Sequence, residues 1–197
     1  MTASLPAEKV KSRSFLQDST RRFFRNRLAI IGFSIVVIFL VVAIAAPLLA
    51  PFPYDKAYFD RARLFPFQHE EHPLGTDDLG RDYLSRLIFG ARTSLTVALF
   101  VQVIALLIGI PLGALGGYFG GRTDFVIARI IYVMTAFPSL RFAILVSSVM
   151  SGGFITVVVA LSITSWIGIA RLTRAQMLSL REQEYVNAAR ALGASQW

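Results

Sequence analysis

Four apolar runs, joined by short polar stretches, dominate this chain. The first, LAIIGFSIVVIFLVVAIAAPLLA at residues 28–50, carries no charge. It exceeds the about 20 apolar residues that a helix needs to cross the hydrocarbon core of a bilayer. The second, TSLTVALFVQVIALLIGIPLGAL, covers residues 93–115. The third, FVIARIIYVMTAFPSLRFAILVSSVM, covers 125–150, and the fourth, FITVVVALSITSWIGIA, covers 154–170. Each predicts a membrane-spanning helix. A Gly-rich turn, GGYFGGRTD, follows the second run, and SGG at 151–153 turns the chain before the fourth. The expected fold is an all-α polytopic membrane protein, with no internal repeat and no low-complexity tract.

The polar stretches orient these runs. Residues 1–27 carry Lys9, Lys11, Arg13, Arg21, Arg22, Arg25 and Arg27 against Glu8 and Asp18, and they read as a basic cytoplasmic tail. A cleaved signal peptide, with AIA at 43–45 as its cleavage site, is the competing reading. The basic region is too long for it, and the apolar run exceeds the usual 7–15 residues. With the N-terminus inside, residues 51–92 form an extracytoplasmic loop. Its acids and bases roughly balance. DLGRDYLSRLIFG within it predicts a short amphipathic helix with Leu79, Tyr83, Leu87 and Ile88 on one side. Four crossings then put Arg122 and the cluster Arg171, Arg174 and Arg181 on the cytoplasmic side, as the positive-inside bias requires.

Composition narrows the function. The chain is 55% hydrophobic and 16% charged, well below the roughly 25% charged of a soluble domain. It has no cysteine, which excludes disulfides and thiolate metal sites. The net charge of +8 sits mostly in the N-terminal flank, so no basic patch is left for nucleic acid. His69, Glu70, Glu71, His72, Asp77, Asp78 and Asp82 show no helical metal-ligand spacing and read as solvated loop residues. No metal, no cofactor and no catalytic residue is expected in the chain.

Several motifs remain. GGYFGGRT comes close to a phosphate-binding loop, but Arg122 stands where that loop needs Lys, and a membrane helix precedes it rather than a strand. It reads as a turn at the membrane surface. Gly109, Gly113, Gly117 and Gly121 recur every four residues, which bares one helix face for close helix packing. Arg129 and Arg141 fall inside the third run, where a central arginine costs about 2.5–3.5 kcal/mol. Arg129 sits near the cytoplasmic end and can snorkel. Arg141, three residues after Pro138, either lines an aqueous pathway and attracts an anionic substrate group or snorkels to the outer headgroups. At the C-terminal end, EQEYVNAARALGA places Tyr185, Ala188, Ala189 and Leu192 on one helical face, with Gly193 at the C-terminus. The small face favours docking to protein over lying in the headgroups. This helix is expected over residues 182–193, on the cytoplasmic side.

EYVNAARALGAS resembles the coupling segment of permease subunits of bacterial binding-protein-dependent ABC importers. HPLGTDDLGRDYLSRLIFGARTSL at 72–95, GGYFGGRTD and AFPSL at 136–140 are similar to the dipeptide/oligopeptide/nickel branch. The resemblance implies a multi-pass inner-membrane permease, with one extra N-terminal helix ahead of a core of five. It implies a partial core over residues 93–197, with three of those five helices. It implies a second permease subunit, two ATP-binding subunits that hydrolyse the ATP, and an extracytoplasmic solute-binding protein. Peptides are the first expected substrate. Ala188, Ala189 and Gly193 match the family's coupling helix, and Glu184 and Tyr185 match its peptide branch. Asn187 stands where the general pattern has Glu, and Arg141 lies in a stretch that is usually apolar. The family continues beyond the equivalent of Trp197 with two more membrane helices, so the expectation is a C-terminally truncated permease. The alternatives are a non-functional fragment from a disrupted gene, or a membrane scaffold that docks a cytosolic partner.

Overall fold

In a computed structural model of the chain, residues 15–194 are described. Glu8, Lys9, Lys11 and Arg13 of the basic tail, and Trp197, lie outside them. The described residues form helices and no strand, and the protein is an all-α polytopic membrane protein. Among the described residues, three helices are long and apolar enough to cross a membrane, and a sharply bent pair makes a fourth if it counts as one broken span. The chain divides into two compact units, residues 1–92 and 93–197.

The first unit begins with α1 (Phe15–Arg25) and α2 (Arg27–Ile44). Asn26 separates them. Its side-chain oxygen accepts from the Leu28 and Ala29 N–H groups at 3.0 and 3.3 Å and so caps α2. The first apolar run is not one straight helix. It breaks at Ala45 and resumes as the short α3 (Ala46–Leu49), with Pro47 in its first turn. Proline cannot supply the N–H that would continue α2, and its ring crowds the preceding turn. Of α2 only Ala43 is buried, while Ile38 and Val41 remain 60% and 56% exposed. A helix apolar on all sides and bare on most of them is solvated by lipid.

The loop between α3 and α4 (Tyr83–Phe119) folds around a buried polar centre. His72 Nδ1 lies 3.0 Å from Asp82 Oδ1, and both side chains are fully buried. Asp82 Oδ2 also accepts from the Ser85 N–H at 2.7 Å, which caps α4, and Ser85 Oγ accepts from the Phe52 N–H at 3.1 Å. Gly75 and Gly80 take φ of +78° and +74°, and the Leu64 and Tyr58 carbonyls press where a side chain would stand. Glu71, Asp77, Asp78 and Asp82 are therefore partnered rather than merely solvated. Arg61 hydrogen-bonds Glu71 and holds its carboxyl below the usual range. Burial pushes the Asp77 carboxyl up, but the Arg81 backbone and side chain and the Leu79 N–H overcome that and hold it low. The short amphipathic helix expected at the end of the loop is instead the first turns of α4, which runs on without a break. Leu79 precedes it, and nothing between Tyr83 and Arg92 is proline.

The second unit packs α4 against α5 (Gly121–Ala136) and α7 (Phe154–Arg181). Ala105, Ile127, Ile131, Trp166, Ile167 and Ala170 form its core. Ala105 and Ala170 are fully buried, so the helix backbones come close together. The third apolar run divides into α5 and α6 (Ser139–Val149), which meet at 79°. Phe137, before Pro138, takes φ −87° and ψ 124°, the extended backbone that a following proline imposes. Helix α7 extends 11 residues past the apolar run. At 1.5 Å per residue its 28 residues span about 42 Å, more than the about 30 Å hydrocarbon core. Its arginine-bearing end therefore projects into the interface or beyond.

Candidate functional site: the C-terminal helix and its seat

The segment EYVNAARA forms α8 (Glu184–Ala191), with two residues between it and the end of α7. Glu184 lies in its first turn and Arg190 in its last, each complementing the helix dipole. The C-terminus closes tightly. The Gly193 N–H donates to the Arg190 carbonyl at 3.0 Å, and the Ala194 N–H donates to the Ala189 carbonyl at 3.0 Å. With Gly193 at φ +86°, this pair of bonds is a Schellman motif, which an L side chain at position 193 would strain. Tyr185, Ala188, Ala189 and Leu192 are all exposed, so this helix presents a shallow, small-residue face to its surroundings.

The α7 end that carries α8 rests on a glycine track. A Cβ at Gly109 would stand 2.8 Å from Ile169 Cβ, one at Gly113 2.8 Å from Thr173 Cβ, and one at Gly117 2.6 Å from Met177 Cβ. Fully buried Ala105 extends the four-residue spacing in the other direction. Gly121, the fourth glycine of the sequence pattern, meets nothing within 4 Å. The turn GGYFGGRT ends α4 and starts α5, and no strand precedes it.

At the α5–α6 break a cleft of about 490 Å³ opens beside α7. Pro138, Thr135, Ser139, Thr164, Ser165 and Arg171 are among the residues of its wall. Arg171 Nη2 donates to Thr135 Oγ1 at 3.2 Å. Arg141 is exposed in the first turn of α6, and Arg129 is exposed on α5. Sequence reasoning singled out Pro138 but took Arg171 only as a flanking charge. Its place opposite the break depends on how α5 and α7 pack.

Known sequences agree with this architecture. Residues 109–197 match the family model of the binding-protein-dependent transport system inner membrane component. Residues 14–68 match that of the N-terminal TM domain of oligopeptide transport permease C. The oligopeptide transport system permease protein OppC of Bacillus subtilis is 41% identical over 190 residues, which are 95% of this chain and 62% of that protein. The dipeptide transport system permease protein DppC of the same organism is 40% identical over 190 residues, 95% of this chain and 59% of that protein. The glutathione transport system permease protein GsiD of Pectobacterium atrosepticum is 38% identical over 198 residues, the whole of this chain and 65% of that protein. The chain thus spans about three fifths of the length of these relatives. With its apolar helices, its glycine track and the segment that forms α8 all inside the regions that these relatives cover, the chain is similar over nearly its whole length to inner membrane components of binding-protein-dependent transport systems.

Proposed function

We propose that this chain acts as a permease subunit of an ABC importer for peptides in the bacterial cytoplasmic membrane. It moves substrate inward through a path shared with a second permease subunit. Two separate ATP-binding subunits hydrolyse the ATP, and an extracytoplasmic solute-binding protein delivers the substrate. The chain itself is not an enzyme. Its N-terminus, the α4–α5 turn and α8 lie on the cytoplasmic side, where the arginines of residues 21–27, Arg122 and Arg181 satisfy the positive-inside bias. The curated relatives that match most of the chain carry oligopeptide, dipeptide and glutathione in their names, which supports a peptide-like substrate.

The observation that carries the reading is α8, a helix closed at its C-terminus by a Schellman motif, with Ala188 and Ala189 exposed on its face. In this reading Glu184, Tyr185, Ala188, Ala189 and Gly193 form the element that an ATP-binding subunit grips. Gly109, Gly113 and Gly117 set the helix packing behind it. The cleft at the α5–α6 break, with Pro138 in its wall and Arg141 in the first turn of α6, belongs to the substrate path. Discontinuous membrane helices line such paths because their broken backbone offers polar groups at membrane depth.

Peptide uptake tests the whole. The chain is expressed with its partner subunits in a strain lacking its own peptide permeases, and uptake of a labelled tripeptide is followed. Restored uptake is expected. Ala188→Trp, which fills the shallow face, is expected to reduce co-purification of the ATP-binding subunit by about tenfold, as for a buried interface position. No uptake by the wild-type assembly, or ATP-binding subunit retained undiminished by Ala188→Trp, overturns the reading.

A further inference from the structure

The glycine-rich turn is built around a charge that the reading above leaves without a role. Asp124 is the one acidic residue between Thr93 and Arg181. It lies in the first turn of α5 and receives Arg174 of α7 through both carboxylate oxygens, with Arg174 Nη2 2.7 Å from Asp124 Oδ2. Both side chains are more than two thirds covered. Two helical turns further along α7, Arg181 Nη1 donates to the Tyr118 carbonyl at 3.4 Å, in the last turn of α4. Gly120, at φ +65°, leaves the space that this guanidinium occupies. Gly116 lets the Asp124 carboxylate come within 3.4 Å of its Cβ position, and Gly117 admits Met177. The motif GGYFGGRTD is therefore a socket for two arginines, and α8 begins three residues after the second of them.

We propose that Asp124, Arg174 and Arg181 are positioning residues that fasten the end of α7 to the α4–α5 turn, so that a displacement of α8 moves the α4–α5 hairpin with it. The role in coupling rests on the permease reading; the fastening itself does not. A two-pronged arginine–carboxylate pair fixes orientation as well as distance, which a point charge does not. The second contact, seven residues on, lies about 10.5 Å along the same helix face, so the pair resists rotation of α7 about either contact alone. A load taken up at α8 thus reaches two other membrane helices, at the last turn of α4 and the first turn of α5. The glycines matter here because they bring the arginines onto the turn, beyond their part in apolar packing.

Two measurements separate the fastening from the transport. The chain has no cysteine, so nitroxides attached at Arg122→Cys and Ser179→Cys, both exposed positions, are the sole labels. In the full chain in lipid nanodiscs, one narrow distance distribution is expected. Asp124→Asn broadens it at unchanged helix content, Arg174→Lys gives an intermediate width, and the exchange Asp124→Arg with Arg174→Asp narrows it again. An unchanged distribution in Asp124→Asn overturns the fastening. In the assembled transporter in proteoliposomes, Asp124→Asn is expected to keep its ATP-binding subunits but lower tripeptide uptake per ATP by about tenfold, the size of a coupling energy carried by a few contacts. The charge exchange restores that ratio. A ratio unchanged by Asp124→Asn, or lost assembly that the exchange does not rescue, overturns the coupling role. If the wild-type assembly takes up no peptide, the permease reading fails, while the label distances still decide the fastening.

Discussion

The loop between α3 and α4 and the helical unit formed by residues 93–197 are held together by opposite means. The loop buries polarity. Its fully covered side chains are His72, Asp82 and Ser85, each in a hydrogen bond, with a rim of ion pairs that joins Arg61 to Glu71, Arg63 to Asp78 and Arg81 to Asp77. The helical unit removes bulk instead. Ala105, Gly109, Gly113, Gly117 and Ala170 let α4 and α7 approach until backbone meets backbone. The contrast follows from the solvent. A loop of about thirty residues has too little apolar surface for a core and relies on specific bonds. In lipid, apolar burial between helices yields little, because acyl chains are as apolar as leucine, so close packing by small residues holds helices together. Asp124 with Arg174 is where the helical unit departs from its own rule, at the end where it reaches the interface.

This contrast breaks at specific positions. The largest effect is expected from Asp82→Ala. It leaves His72 buried without its acceptor and the Ser85 N–H without its cap, a loss of about 3 kcal/mol or more. Protease protection of residues 51–82 should collapse while the α4–α7 contacts persist, which hydrogen exchange resolves segment by segment. Collapse of both at once would show that the two units are not separately stable.

Gly113→Leu should do the reverse, with the loop intact and the helical unit loosened by about 1–3 kcal/mol, since the Ala170 carbonyl cannot move aside as a side chain could. Thermal stability in detergent measures it. Gly121→Leu adds similar bulk where nothing lies within 4 Å, although its φ of +53° carries a strain of its own, so a smaller loss is expected.

Acid sharpens the comparison next. The Asp77 and Glu71 carboxyls are held below their ordinary range in the folded loop. A carboxyl with a lowered folded pKa contributes stability above its unfolded value, and this is lost as pH falls through the folded value. Hydrogen-exchange protection of the loop should therefore decline as pH drops below about 4, the ordinary carboxylate range, while the glycine contacts of the helical unit, which carry no proton, hold. The smallest effect is expected from Arg63→Ala. Its pair with Asp78 is about 80% exposed on both sides, and such pairs contribute about 0–1 kcal/mol. A shift in loop stability larger than that would mean the Arg63 side chain holds the loop by more than an exposed ion pair.

The chemistry of the site was only partly legible in the sequence. Tyr185, Ala188 and Ala189 recur at helical spacing ahead of Gly193, so a helix ending near Gly193 could be read directly, while its Schellman bonds came from the structure. Pro138 marked the break in the third apolar run, though a proline alone does not say whether a helix kinks or turns through 79°. Asp124 and Arg174 are fifty residues apart and follow no motif spacing. The isolation of Asp124 as the one acid in a long apolar stretch was the available signal.

By itself the sequence determined the lipid-soluble character, the apolar runs that become helices and the face of the exposed C-terminal helix, though not where those runs break. These depend on neighbours along the chain, through hydropathy, helical period, proline and glycine. The tertiary structure alone decided which faces meet. It set Gly117 under Met177, Arg171 across from Pro138, Arg174 on Asp124 and His72 on Asp82. Such partners are chosen by the path of the backbone through space, and local periodicity does not encode that path.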